Sequence, residues 1–264
     1  MPFGIQRIVS VAGVLCGRSG SIFGCVRAML SALLGRAGTL GEGDDGVKDG
    51  GRVDEFERVQ ARLPEALAAN VAGSGVDHVV VAMPSYSVGE SLLSHYVARI
   101  PAMEHRYLNA QLLLNRIEQC TFVFVCSEAP TSEVVDYYRT LVPAEVAERL
   151  RTRVRCIVVA DRGARPLASK LLDRPDVLAE LRDLIGARLA VIEPWNVTED
   201  EVAVAVALEV PINGTSPRLR PTAFKSSGRR LFAAVGVPVP IGCEDVHRLD
   251  DVLAAIEHIR ARRP

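Results

Sequence analysis

The sequence predicts an α/β fold, a Rossmann-like, mainly parallel sheet flanked by helices, on three observations. Short continuous apolar runs, HVVVAM at 78–83, TFVFVC at 121–126 and RCIVVA at 155–160, lack polar alternation, as strands buried on both faces require. Segments with helical spacing and a dozen or more residues separate them, the length a parallel crossover needs. At 264 residues with 48% hydrophobic and 24% charged content, the chain can bury a sizeable core in one main domain.

Taken in order, residues 1–40 hold two apolar runs, 8–16 after Arg7 and 22–34 after Arg18 and Gly20. Both fall short of the ~20 apolar residues of a membrane-spanning helix, so no membrane association is expected. The first has the charge and apolar length of a weak signal peptide, but no export-type cysteine framework follows it, and a cytoplasmic location is expected. Residues 39–51 are rich in glycine and charge and read as a flexible linker. Residues 1–75 are therefore expected to be an extension and linker, partly disordered, outside the domain. Within them Phe56, Val59, Leu63 and Leu67 have helical spacing and predict one helix over 53–69, despite Pro64.

The first strand is expected at 78–83, with Pro84, Ser85, Tyr86 and Ser87 as the loop at its carboxyl end. Helices over 89–99 and 103–117 lead to the second strand. Thr131 or Ser132 caps the next helix, and Pro143 suits the first turn of another. The third strand follows at 155–160, then helices at 167–172 and 175–185, and a fourth strand at 188–192. Thr198 and Glu201 have capping-box spacing, and a short fifth strand at 210–212 is expected to close the set. Ligands of such sheets gather at the carboxyl ends of strands, which places 84–87, 127–131, 161–165 and 193–196 on one candidate rim. Residues 76–221 are read as this domain.

Asn213-Gly214 is a turn signal, and Thr222 suits the cap of a basic helix running to about Val235. Gly236 suits a left-handed helix end, and Pro238 and Pro240 stop any resumption. A last helix, with Asp250 as cap, carries Val252, Leu253, Ile256 and Ile259 on one face.

A formal net charge of -1 gives no case for nucleic acid or an anionic membrane. Cys16, Cys25, Cys120, Cys126, Cys156 and Cys243 have no CxxC spacing, and the histidines form no HExxH or Cys/His set, so neither zinc nor a disulfide frame is expected. The glycine fingerprint, the phosphate loop and the nucleophile elbow are absent, which leaves no catalytic residue assigned and counts against a dinucleotide oxidoreductase. Glu104 and Arg106, two apart on a helix, each need a partner elsewhere and read as interdomain ion pairs. Asp161 with Arg162 and Arg165 reads as an anion site or a loop brace.

The run Lys225-Ser226-Ser227-Gly228-Arg229-Arg230-Leu231-Phe232 with Gly236-Val237-Pro238-Val239-Pro240 resembles the junction of ATP-grasp carboxylate-amine ligases. Pro84-Ser85, Glu104, Arg106, Ser127, Asp136-Tyr137-Tyr138, Asp161, Arg165-Pro166-Leu167, Lys170-Leu171-Leu172 and Arg174-Pro175 follow in family-like order. Together they resemble the pre-ATP-grasp domain of pheganomycin-type peptide ligases over residues 76–264. Gly163-Ala164 departs from the pattern, where the family carries a further polar residue.

The resemblance implies a substrate-side domain in which Ser85, Ser127, Asp161 and Arg165 bind substrate and Lys225 contacts ATP phosphate. ATP and magnesium are implied for a complete ligase, and residues 222–264 as the junction and start of a truncated ATP-grasp domain. The expectation is thus a truncated or split ligase, inactive alone, partnered by a separate ATP-grasp catalytic chain or self-associating through its last helix. The alternative is a small-molecule or protein-binding module without ligase activity.

Overall fold

The computed structural model describes residues 50–262; the apolar runs of the first forty residues and nearly all of the expected linker lie outside them. Four parallel strands, His78–Met83 (β1), Cys120–Cys126 (β2), Val154–Val158 (β3) and Leu189–Pro194 (β4), form one sheet in the order β3-β2-β1-β4. Every residue of β1 and β2 is buried, as continuous apolar runs flanked on both sides by strands demand. In register, Val80 lies between Phe122 and Val191.

Alternate residues divide between two cores. Val79, Val81, Met83, Val123, Val125 and Ile192 pack with Leu171, Leu181 and Val204 on one face. Val80, Ala82, Phe122, Phe124 and Val191 pack with Leu108, Leu114 and Leu150 on the other. The expected α/β class is observed, and a C-terminal helix, Leu249–Arg262, is present. Among the described residues no helix is long and apolar enough to cross a membrane.

The chain divides into two compact units, one of them Val47–Arg220. The domain therefore begins before the start expected at 76, because the helices within 50–69 are core. Phe56 joins the core on one face and Ala66 the core on the other. In place of one helix over 53–69 there are two, Gly50–Gln60 (α1) and Leu63–Ala69 (α2). Pro64 sits in the first turn of α2, where its missing N–H leaves no hydrogen bond unmade; inside a single helix it would break the ladder.

Three further expectations change. The helix expected over 103–117 is a short α-helix, Ile100–His105, followed by a 3₁₀ helix, Arg106–Asn115. Its buried residues, Leu108, Gln111 and Leu114, recur every third position, the repeat that lines up one ridge of a 3₁₀ helix. Glu90–Tyr96 likewise ends in a 3₁₀ turn, Val97–Arg99.

The fifth strand is reduced to one parallel bridge, Ile192 to Ile212. The other backbone edge of Ile212 is held by Gln60, whose Oε1 accepts from Ile212 N at 2.7 Å and whose Nε2 donates to Ile212 O at 3.0 Å. The side-chain amide does the work of a neighbouring strand, and the turn at Asn213 ends the pairing. The capping box of Thr198 and Glu201 forms as expected at the start of Glu199–Leu208.

The second unit contains Pro221–Pro264. The basic helix is interrupted: Phe224 is extended, so that Lys225–Ala234 begins anew after a four-residue turn, Arg220–Ala223. Arg229 then gathers the following loop, donating from Nε to Glu244 and from Nη1 to Pro240 O, both at 2.6 Å. A Cβ on Gly242 would lie 3.3 Å from the Arg229 guanidinium carbon, so glycine suits that approach. Gly236 takes the expected left-handed turn, φ +76. Asp251, not Asp250, accepts from the Arg248 and His247 N–H groups at the start of Leu249–Arg262. On that helix Val252, Leu253 and Ile256 are exposed.

Because Phe56 is 4% exposed within the core, Phe56→Ala is expected to cost about 3–5 kcal/mol. Urea unfolding measures it, and a loss within experimental scatter would return residues 50–69 to the status of an extension.

Candidate functional site at the carboxyl ends of the strands

Each strand delivers a polar residue to its carboxyl end, where the apolar run stops. At the end of β2, Ser127 N donates to Glu104 Oε2 at 2.7 Å, and its hydroxyl donates to Glu104 Oε1 at 2.7 Å. The same hydroxyl oxygen accepts from Lys170 Nζ at 3.0 Å. Glu104 comes from Ile100–His105 and Lys170 from Leu167–Leu172, and all three residues are 1% exposed. Glu104 is therefore no interdomain ion-pair partner; it is an interior group inside the first unit.

Burial pushes the Glu104 carboxyl up, against the pull of the Ser127 bonds and the Lys170 charge. Burial pushes the Lys170 ammonium down, against the pull of Glu104 and Asp161. Each group offsets the other's desolvation, with Ser127 as the bridge between them.

At the end of β1, Ser85 is fully buried and its hydroxyl accepts from Ala168 N at 3.0 Å. The Ser87 hydroxyl donates to Glu201, so the 3.0 Å contact between the two serines carries the Ser85 proton toward Ser87. The second Glu201 oxygen accepts from Thr198 N at 2.7 Å and Thr198 Oγ1 at 2.6 Å. The capping box expected from spacing alone is thus also an anchor for the β1 loop.

Beyond β3, Asp161 accepts from Gly163 N at 2.7 Å and from Arg165 at 3.2 Å, while Arg165 also donates to Asp173 at 2.7 Å. The Gly163 bond first, with Arg165, holds the Asp161 carboxyl below its ordinary value. Arg162 pairs with Glu128 instead. Asp161 and Arg165 form a loop brace. A Cβ at 163 would lie 2.9 Å from Asp161 Oδ1, so a side chain there would require the Asp161 carboxylate to shift.

Between β1 and β4 the loops are tied across. Asn196 Oδ1 accepts from Ser87 N at 3.1 Å and Asn196 Nδ2 donates to Ser87 O at 3.0 Å. Next to it Trp195 is 51% exposed, with the Tyr86 ring centroid 5.0 Å and the Tyr107 ring 6.2 Å away. The Tyr107 phenol donates to Pro194 O and is pushed up to about 12 by burial and the Glu193 charge. Tyr86 donates to Met103 O at 2.8 Å, and Arg106, whose backbone N–H also bonds Met103 O, is exposed, its guanidinium making no hydrogen bond or ion pair among the described residues.

Of the five site residues expected from sequence, four meet at this edge, and Ser85 and Ser127 are buried with their hydroxyls engaged. Lys225 lies in the second unit, exposed at the first position of its helix. Among the described residues no group of three or more His, Cys, Asp or Glu side chains is placed to hold a metal ion. Sequence reasoning missed Ser87, Asn196 and Trp195 as individuals, although 84–87 and 193–196 stood on the expected rim.

No family model matches the chain. No solved structure matches it. The chain is similar to IQ motif-containing protein H of Danio rerio, 29% identical over 124 residues, which are 47% of this chain and 11% of that protein. It therefore spans a small part of the relative's length.

Lys170→Met would leave Glu104 buried without its cation and is expected to cost about 3–5 kcal/mol in urea unfolding, with the added change Glu104→Gln recovering part of it. Strict additivity of the two changes would show that the pair is not coupled. Glu193 gives a pH signature: burial pushes its carboxyl up, partly offset by Asn213, which donates to both oxygens at 2.9 and 3.0 Å. A folded-state pKa above the unfolded value contributes stability that is present below the unfolded pKa and lost as pH rises through the folded one. Glu193→Gln should therefore gain on the wild type as pH rises above the ordinary glutamate value of about 4.3; a difference that stays constant as pH rises from there would refute the assignment.

Proposed function

We propose that Val47–Arg220 is the substrate-side domain of an ATP-grasp carboxylate-amine ligase, holding substrate while an ATP-grasp catalytic chain or domain supplies ATP and magnesium chemistry. The observation that supports this reading is mutual bonding among the residues that carry the resemblance. Glu104, Ser127 and Lys170 are joined to one another; Ser85 holds the start of Leu167–Leu172, and Asp161 holds Arg165. Arg174, also in the pattern, donates to Val159 O at 2.6 Å at the exit of β3. Residues matched by chance have no reason to interlock at one edge of a sheet.

On this reading the inner polar groups brace the loops, and ligand contact falls to the outer groups. Arg106 offers a guanidinium for a carboxylate, and the exposed side of Trp195 offers a flat apolar surface. A second reading, a small-molecule or protein-binding module without ligase activity, is favoured by the same half-exposed Trp195, which needs no nucleotide to act.

Trp195 is the sole tryptophan of the sequence, so its fluorescence reports this surface directly. Titration with N-acetylphenylalanine should give a saturable change, about tenfold weaker for the methyl ester, which lacks the charge-assisted bond. Arg106→Gln should reduce the acid to the level of the ester. The full chain incubated with ATP, magnesium and amino acids should release no ADP. Equal response to acid and ester would favour the binding module, and ADP release by the chain alone would overturn the assignment of a non-catalytic role.

A further inference from the structure

We propose that Cys156 and Cys126 form a hydroperoxide-responsive dithiol at the edge of the sheet, Cys156 being oxidised first and Cys126 closing a disulfide onto it. The proposal is independent of the ligase reading. Cys126 ends β2 and Cys156 lies in β3; the register pairs Phe124 with Cys156 and Cys126 with Val158. The two cysteines are therefore diagonal neighbours on one face, and their sulfurs are 3.5 Å apart. Cys126 is fully buried, whereas Cys156 is exposed. Among the described residues β3 pairs with β2 alone, so its backbone can shift to shorten the contact to the ~2.05 Å of a disulfide.

The chemistry of the two thiols is unequal. Hydrogen bonding with Cys126 lowers the Cys156 thiol below its ordinary range and raises that of Cys126, with burial adding to the rise at Cys126 and opposing the fall at Cys156. The thiolate is the reactive form, and here it belongs to the exposed residue of the pair. Cys156 thiolate attacks a hydroperoxide; an S–O bond forms, the O–O bond breaks, and the departing alkoxide or hydroxide takes a proton from water. Cys126 sulfur then attacks the Cys156 sulfenic acid; the S–S bond forms, the S–O bond breaks, and hydroxide leaves as water with the Cys126 proton. Two thiols are oxidised and one hydroperoxide is reduced. Cys120, buried on the same strand as Cys126, is pushed up to about 12 by burial and lacks a neighbouring sulfur among the described residues.

The full-length chain, treated with hydrogen peroxide, blocked and digested without reductant, decides the matter by peptide mass spectrometry. The expected product is a linked peptide pair containing Cys126 and Cys156, lighter by two hydrogens than its reduced parts, formed before Cys243 is modified. Cys126→Ser should leave a Cys156 sulfenic acid that dimedone traps, and Cys156→Ser should leave Cys126 unoxidised. Oxidation of Cys243 with Cys156 still reduced, a wild-type Cys156 sulfenic acid that never yields the linked pair, or linkage to any other cysteine would overturn the proposal. The wild-type mapping stands even if a variant misfolds.

Discussion

A lysine ammonium cannot lie inside a parallel sheet domain without company, and the burial of Lys170 sets the arrangement around the end of β2. Its charge has lost nearly all contact with water, so the fold must supply an anion and a hydrogen-bond acceptor within reach. Glu104 is the anion and Ser127 the acceptor, and together they draw Ile100–His105 and Leu167–Leu172 to the same strand end from opposite crossovers. Such a buried pair adds little net stability, because both partners give up hydration. Its effect is geometric: either partner alone would be more costly than both, so the two helices keep a fixed relation to the strand.

The sequence disclosed the strands because buried parallel strands are written in a local code, the unbroken apolar run; β1 is found at the expected residues 78–83. Helices at 167–172 and 175–185 and the Thr198 capping box were equally local. What remained hidden was nonlocal. Gln60 gives no sign in its own neighbourhood that its amide will complete the backbone of Ile212, 152 positions away. Glu104 could be read as a charge in need of a partner, but spacing on its helix pointed outward to another domain, whereas the partner was the next strand. The 3₁₀ helix at 106–115 was partly visible in the three-residue repeat of Leu108, Gln111 and Leu114, a repeat that an α-helical template absorbs as its own i,i+3 contacts.

Strand order also decides what kind of ligand surface is available. The chain reverses direction of growth between β1 and β4, and in open α/β sheets the crevice at that reversal is the usual ligand site. Here Asn196 bonds both backbone groups of Ser87 and closes the crevice with protein. On the proposed reading, ligand contact at this edge falls to the rim, where the Trp195 indole is half-exposed and Arg106 is exposed. A rim of that kind suits one flat apolar group and one anionic group, and gives little enclosure for a nucleotide.

The two edges of the sheet are protected by different means. On the β4 side Ile212 bridges Ile192 and Gln60 in turn holds the backbone of Ile212, which covers the middle of that edge. Among the described residues the β3 side has no strand beyond it, and the exposed Arg155 places a charge there, the usual guard of an open edge against another chain. A covered edge is held from both sides, whereas a guarded edge is held from one. Closing two sulfurs from 3.5 Å to the ~2.05 Å of a disulfide requires a strand to move or side chains to rotate, and strand movement costs least at β3, which is where the sequence places the exposed member of the cysteine pair.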